Sequence, residues 1–321
     1  MAKILVTGGA GFIGSNFCNL MAEKGHEVTA IDNLSLGVKE NLTDKVKLIV
    51  GDVNKREDLD KAGQVDYIVH LAASSSAPMF KEDLQGAMSN NILGHLNVLN
   101  FARDTKVKKV MFASTSSVYG NNPTPLTEDQ LVLPPNFYSV TKFCQENMSR
   151  VYSKEYDLEI IAFRFMSVYG PNEGHKKFFA NVLSQFIWGM AIKKPAILYG
   201  DGTQERDFTN VRDVCQGIEL AMNSDKKYGF NVFNIGTATA INLLDLVKII
   251  NKAMGTNIEP ECIPNPLKGI YIKTQLAGID KISKELGFKP SVSLEEGIQE
   301  IVDNLNPDRI PLMHEEEYDK K

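Results

Sequence analysis

The sequence predicts an α/β fold, a doubly wound parallel sheet joined to a smaller, mixed, mostly helical C-terminal lobe. Three observations predict it. Short, continuously apolar segments alternate with helically spaced ones through the first half of the chain; a glycine-rich turn separates the first of each; and the alternation stops beyond about Gly170. Continuously apolar strands linked by helices need cover on both sheet faces, which is the parallel arrangement.

The elements follow in order. Lys3–Thr7 is a short apolar run rich in β-formers. From Phe12 to about Lys24, Ile13, Phe17, Leu20 and Met21 fall at helical spacing, and Gly25 is a stop signal. Further strands are expected at Glu27–Ile31, Val46–Val50, Tyr67–Leu71, Lys109–Ala113 and Leu158–Phe163, with helices over about 57–62, 83–104 and 138–155. Past Gly170 come a Pro-Asn-Glu-Gly loop, a helical stretch over Asn181–Met190 and short strands near Ile197 and Phe233. Two helices follow, at about Leu243–Met254 and Leu294–Val302. Residues 1–170 are therefore expected to form the sheet domain. Part of 205–240 returns to it, because the helix after Val211 has the look of a sheet-covering layer. Residues 171–304 form the lobe and 305–321 a polar tail with an acidic cluster.

Composition narrows the function. At 321 residues with 43% hydrophobic and 23% charged, disordered and fibrous architectures are excluded. The net charge of −5 argues against a nucleic-acid partner, which would select a basic surface. No apolar run has bilayer-spanning length, and the opening MAKILVTGG is too quickly glycine-rich for a signal peptide. Cys18, Cys144, Cys215 and Cys262 lie far apart with no CxxC pair, so neither a metal site nor a disulfide framework is expected. The expectation is a soluble cytoplasmic protein with no metal, membrane or nucleic-acid partner.

Gly8-Gly9-Ala10-Gly11-Phe12-Ile13-Gly14 is GxxGxxG between a strand and a helix. Glycines there permit a tight turn, close backbone approach to a diphosphate and close helix–strand packing, with the helix N-terminus facing the anion. Gly8, Gly11, Phe12, Ile13 and Gly14 are thus the candidate phosphate loop of a Rossmann-type domain. A turn that merely uses glycine for positive φ is the plainer alternative. Asp32 closes the second strand, where a carboxylate accepts from adenine-ribose hydroxyls and repels a 2′-phosphate. Asn33 and Ser35 follow it with no nearby arginine, which favours NAD over NADP.

Tyr138 and Lys142 stand four apart and share a helix face. A phenol has a pKa of about 10, and a neighbouring ammonium and a cationic cofactor ring are expected to lower it toward a usable base. The strand before Ser114 delivers Ser114-Thr115-Ser116-Ser117-Val118-Tyr119-Gly120 to the sheet's carboxyl edge, where Tyr119 reads as packing.

GxxGxxG at the N-terminus, Gly51-Asp52-Val53, His70-Leu71-Ala72-Ala73, the Asn91 of Asn-Ile-Leu-Gly and the YxxxK of Tyr138 and Lys142, in that order, resemble the extended short-chain dehydrogenase/reductase family. The resemblance runs from Lys3 to about Val302. It implies that Asp52, Val53, Leu71, Ala72, Ala73, Asn91, Ser114 and Phe165 also contact NAD. It makes Thr115 the catalytic hydroxyl beside Tyr138 and Lys142, with Ser76 and Ser116 on the substrate side. The family's dehydratases carry Asp-Glu after that threonine and its decarboxylating members commonly keep the Glu, whereas this chain has Ser116 and Ser117. A hydroxyl cannot replace a carboxylate in proton abstraction, so elimination is disfavoured.

In the lobe, Phe163-Arg164-Phe165-Met166-Ser167-Val168-Tyr169-Gly170-Pro171 resembles the family's LRYFNVYGP, with Ser167 at the asparagine that meets the sugar nucleotide. Asn181 and Val182 are similar to its diphosphate-facing segment, and Ile197 and Tyr199 to the strand beside the base. Gly200–Phe208 matches GDGxQxRDF, which assigns Arg206 to the diphosphate; the plainer reading pairs it with Asp201 or Asp207. No later RPGD-type arginine is evident, and Lys268 stands in as a point charge. His175, Lys176 and Lys177 read as a solvated basic loop. Together these imply an NAD-dependent nucleotide-sugar epimerase most like the UDP-hexose 4-epimerases, acting on a UDP-sugar as a homodimer. The alternatives are a dehydratase, decarboxylase or reductase of the same fold, or a non-enzymatic NAD-sensing protein.

Overall fold

The computed structural model describes residues 1–265 and 272–305. The first half runs β1 (Lys3–Thr7), α1 (Phe12–Glu23), β2 (Glu27–Asp32), β3 (Lys47–Val50), α2 (Arg56–Asp60) and β4 (Tyr67–His70). It continues through α3 (Met79–Glu82), α4 (Leu84–Thr105), β5 (Lys109–Thr115), α5 (Phe137–Tyr156) and β6 (Ile160–Phe165). The second half holds β7 (Ser167–Tyr169), α6 (Val182–Ala191), β8 (Ile197–Tyr199), β9 (Glu205–Arg206), β10 (Phe208–Asn210), α7 (Val211–Asn223) and β11 (Phe230–Ile235). It closes with β12 (Ile241–Asn242), α8 (Leu243–Met254), β13 (Glu261–Ile263), α9 (Asp280–Leu286) and α10 (Leu294–Asp303).

Seven strands form one parallel sheet in the order β11-β6-β5-β4-β1-β2-β3. Strand order reverses at β1, where Thr7 pairs with Ile31 on one side and His70 on the other. Ligands of such sheets sit in the crevice beyond this switch point. One face packs Phe17, Met21, Val214, Ile218 and Phe288, from α1, α7 and the chain after α9; the other packs Leu59, Val98, Leu99 and Phe101 from α2 and α4. Full burial of each such side chain stabilises the fold by about 1.5–3 kcal/mol. The lobe has its own core, in which Phe186, Trp188, Leu246, Ile250 and Ile298 join α6, α8 and α10.

Three differences from the sequence expectation matter for the site. β5 extends two residues beyond Ala113, because Ser114 and Thr115 stay paired with Arg164 and Phe165 of β6. The strand near Phe233 is the edge of the main sheet, with Phe233 opposite Phe163. α9 was not anticipated: it is seven residues long and commits one fully buried side chain, Ile282, to the core, too little for a periodic signal. No helix among the described residues is long and apolar enough to cross a membrane.

Candidate active site

One cavity of about 460 Å³ opens along the carboxyl edge of the sheet, between the switch point and the lobe. The phosphate loop forms one wall. Gly8 has φ +68°, and a Cβ there would lie 2.6 Å from the amide nitrogen of Ala72; a Cβ on Gly14 would collide with the carbonyl of Gly8. Only glycine lets α1 start this close to β1. The N-cap of α1 is Gly11, which has no side chain to reach the first-turn N–H groups, and Gly11, Phe12, Ile13 and Gly14 line the cavity. An uncapped helix N-terminus facing a cleft suits a diphosphate. Asp32 is 8% exposed at the end of β2, where its carboxylate accepts from the N–H groups of Ala10 (3.0 Å) and Leu34 (2.9 Å). Burial pushes its pKa up and these backbone hydrogen bonds pull it back. Asn33, Asp52, Val53, Leu71, Ala72 and Ala73 continue the wall, so the chain's own residues fit an adenine dinucleotide.

The second wall is α5. An Asn136–Ser139 capping box starts this helix and sets Tyr138 in its first turn and Lys142 one turn later. Tyr138 faces the same cavity as Thr115, at the end of β5. Burial nevertheless pushes the phenol above its ordinary pKa, with the Thr115 hydroxyl pulling it back. Lys142 is turned to its own partners and is not among the groups that act on the phenol. Its ammonium donates to the Ala113 carbonyl (2.9 Å) and the Gln145 amide oxygen (3.2 Å), and burial brings its pKa down to about 7.

A polar layer behind this wall holds it in place. Ser114 donates to Glu146 (2.6 Å), and Arg164 grips the same carboxylate with two hydrogen bonds of 3.0 and 2.8 Å. The Arg164 guanidinium lies 4.8 Å from the centre of the Tyr119 ring, and the Tyr119 hydroxyl donates to Asn234 (2.7 Å), so Tyr119 is packing. Gln145 donates to the Asn91 carbonyl (2.6 Å), while the Asn91 side chain ties Ser74 to Thr141. His70 and His95 are buried beneath, 5.2 Å apart, and desolvation holds His95 neutral with a pKa of about 3.

The third wall comes from the lobe. Asn16 donates to the Pro171 carbonyl (3.0 Å) and Asn172 to Ser15 (3.3 Å), which straps residues 171–181 across the start of α1. Within the strap, Glu173 is 2% exposed and accepts from the Asn181 N–H (2.7 Å) and the Ser184 hydroxyl (2.6 Å). Lys176 lies 3.7 Å from Glu173 and 5.7 Å from the centre of the Phe12 ring, and His175 meets the Asn41 amide at 3.3 Å. His175 and Lys176 therefore line the cavity; the solvated-loop reading describes only the exposed Lys177.

Ser76, Ser114, Thr115, Ser116, Phe165, Ser167 and Asn181 also line the cavity. Other expected residues stand elsewhere. Asn91 is fully buried behind the wall, where its amide serves the backbone of Ser74. Ser35 is exposed beyond Asp32, with its N–H on the Asn33 side chain (3.1 Å). Val182 is the first residue of α6, and Ile197 and Tyr199 belong to β8, outside the cavity lining. Arg206 forms no ion pair with Asp201 or Asp207. It donates to the carbonyls of Glu205 (2.7 Å), Ile272 (2.7 Å) and Lys273 (3.2 Å), while Asp207 accepts from the N–H groups of Thr237, Ala238 and Ala277. Lys268 lies outside the described residues. Sequence reasoning missed Glu173 and Gln275, which line the cavity, and the Glu146–Arg164 pair behind it. No group of side chains able to hold a metal ion occurs among the described residues.

Residues 4–236 match the NAD dependent epimerase/dehydratase family. The chain is 30% identical over 328 residues to a UDP-glucuronate 4-epimerase of Thermodesulfobacterium geofontis, covering 98% of each chain. Among solved structures it is similar to the UDP-N-acetylglucosamine 4-epimerase of Methanobrevibacter ruminantium M1 in complex with UDP-N-acetylmuramic acid, with a TM-score of 0.88, 31% identity and coverage of 94% and 97%. It is equally similar to the UDP-glucose 4-epimerase of Thermotoga maritima with UDP-glucose, with a TM-score of 0.88, 32% identity and the same coverage. The family match spans well over half of the chain, including the glycine cradle, Asp32 and the Tyr138–Lys142 pair, and the chain belongs to the NAD-dependent epimerase/dehydratase family.

Proposed function

We propose that this chain is a UDP-sugar 4-epimerase. The observation that carries the reading is the meeting of Thr115, Tyr138 and Lys142 on one cavity with the phosphate loop, while Ser116 and Ser117 stand beside Thr115. In this reading the N–H groups at the start of α1 hold the NAD diphosphate, Asp32 the adenine ribose and Lys142 the nicotinamide ribose. When bound, NAD supplies reversible hydride acceptance at the sugar C4. Thr115 orients the C4 hydroxyl, and Tyr138 removes its proton and later returns it. The buried phenol needs help to ionise, and the positive charge that an oxidised nicotinamide would bring to this cavity would favour the phenolate. Ser116, Ser117 and Ser167 give the resulting 4-keto sugar hydroxyl contacts on one side. No carboxylate adjoins Thr115 in sequence to drive elimination across a neighbouring bond.

The test is incubation of the holoenzyme with UDP-glucose, UDP-N-acetylglucosamine and UDP-glucuronate, reading C4-inverted product by NMR. Inversion without accumulation of NADH is expected for at least one of them. Tyr138→Phe is expected to lower the rate by about 10²–10⁴-fold with NAD still bound. Inversion at the wild-type rate in that variant would remove the mechanism, and sustained NADH production would make the chain a dehydrogenase.

Two further features belong to this reading. The cysteines Cys18, Cys144, Cys215 and Cys262 are all free, which supports a reducing compartment, the cytoplasm. Exposed apolar side chains on α4 and α5, Leu93, Val140 and Val151 among them, support a homodimer through these helices.

A further inference from the structure

Ser116 and Ser167 reach the cavity from two different strand ends, and a single side chain joins them. The Gln275 amide nitrogen donates to the Ser116 hydroxyl (3.0 Å), and the Ser167 hydroxyl donates to the Gln275 amide oxygen (3.2 Å). Gln275 is 8% exposed and lines the same cavity as Thr115 and Tyr138. Its backbone is fixed independently of any ligand. The Gln275 N–H donates to the Glu205 carbonyl (3.0 Å), and the Ala277 N–H to the Asp207 carboxylate (3.1 Å). Arg206 holds the carbonyls of Ile272 and Lys273 just upstream.

The amide sets the polarity of this wall. A hydroxyl has one proton to give. Ser167 spends its proton on Gln275, so toward the cavity it can only accept. Ser116 accepts from Gln275 and keeps its own proton to donate. Rotating the amide by a half turn exchanges the two serines but leaves the count the same, one donor and one acceptor. A sugar hydroxyl, itself donor and acceptor, satisfies both. A carboxylate offers only acceptors. It would face the lone pairs of one serine, or take that serine's proton and leave a Gln275 amide group buried and unpaired, which is costly.

We propose that Gln275 is a positioning residue that selects a hydroxymethyl over a carboxylate at C5 of the sugar. This rests on the chain acting on UDP-sugars. UDP-glucose and UDP-glucuronate differ only at that carbon substituent and are the probes.

The experiment measures kcat/KM and equilibrium binding of both probes by the NAD-loaded wild type, Gln275→Leu and Gln275→Glu. Replacing the amide with leucine frees the second serine proton, so the ratio of UDP-glucuronate to UDP-glucose is expected to rise about tenfold. Glutamate adds a charged acceptor in the same place, and the ratio is expected to fall about tenfold. A purely structural role for Gln275 would weaken both sugars alike. Ratios within about twofold of wild type in both variants, or shifts in the same direction, would overturn the proposal. Should one variant fail to fold, the direction of shift in the other still decides. A wild type that binds both sugars without inverting them counts against the epimerase reading alone, and the binding ratios still test Gln275. A wild type that binds neither overturns both.

Discussion

Lys142 is 3% exposed, and the two groups its ammonium donates to, a carbonyl and an amide oxygen, are uncharged. Burial without a counter-charge explains why its pKa falls to about 7. Unfolding returns the ammonium to its ordinary value of about 10.4. Between these values the unfolded chain binds the extra proton, so this residue makes stability rise with pH from about 7 upward. Below that window the folded protein carries the full cost of a buried ammonium. Lys142→Met, in NAD-free protein, is therefore expected to melt above wild type at pH 6, with the gap closing toward pH 9. A gap independent of pH, by calorimetry, would mean that the ammonium is better solvated than its burial indicates. Lys142 was legible in the sequence because its chemistry is local: four residues from Tyr138 puts both on one helix face. Gln275 was not. It meets Ser167 from 108 positions away in the chain, and a lone glutamine has no spacing to read. Arg206 was legible through the GDGxQxRDF match, but the backbone carbonyls it also meets were not, because a guanidinium suits a diphosphate and carbonyl oxygens alike.

At the level of the element, α5 is the least ordinary part of the molecule. Its buried stripe is polar: Lys142, Gln145, Glu146, Ser149 and Ser153 are all buried at helical spacing. A hydrophobic-period reading places the helix correctly yet misses this layer, because it assumes that the inward face is apolar. Strands were easier, since continuous apolar runs bounded by glycine mark a doubly covered sheet. In the main sheet the ends of β5 and β6 and the placement of β11 needed the pairing itself, and the short strands β7, β9, β10, β12 and β13 carried no such signal. The stripe depends on the Glu146–Arg164 pair, with side chains 0% and 5% exposed. Removing one partner of such a pair strands the other charge. Glu146→Ala is expected to destabilise the protein by about 3–5 kcal/mol in urea titrations, and Glu146→Gln by clearly less, because an amide still accepts from the guanidinium. Equal losses in the two variants would show that charge, and not hydrogen bonding, is what the stripe requires. Since Ser114 also donates to Glu146, the alanine variant is expected to loosen the end of β5 beside Thr115 as well.

The whole molecule couples that inward stripe to an outward one. α4 and α5 pack side by side over the sheet, and their solvent faces present Leu84, Leu93, Phe137, Val140 and Val151 as large exposed apolar groups. Val140 and Val151 are eleven positions apart, about three helical turns, so they lie on one line along α5. Water contact with such a line is unfavourable, and a second copy related by a two-fold axis would bury it in a four-helix arrangement. In a two-fold interface each substituted residue occurs twice, so a new charge is both buried and set against its own copy or a close neighbour. Val151→Glu is therefore expected to sediment as a monomer where wild type sediments as a dimer at micromolar concentration. Its far-UV circular dichroism should be unchanged, because Val151 faces away from the sheet. NAD should remain bound, since the phosphate loop and Asp32 lie on β1, α1 and β2, remote from this surface in the chain. A variant that stays dimeric would place the interface on another face, and a wild type that is monomeric would leave the apolar line of α5 facing water.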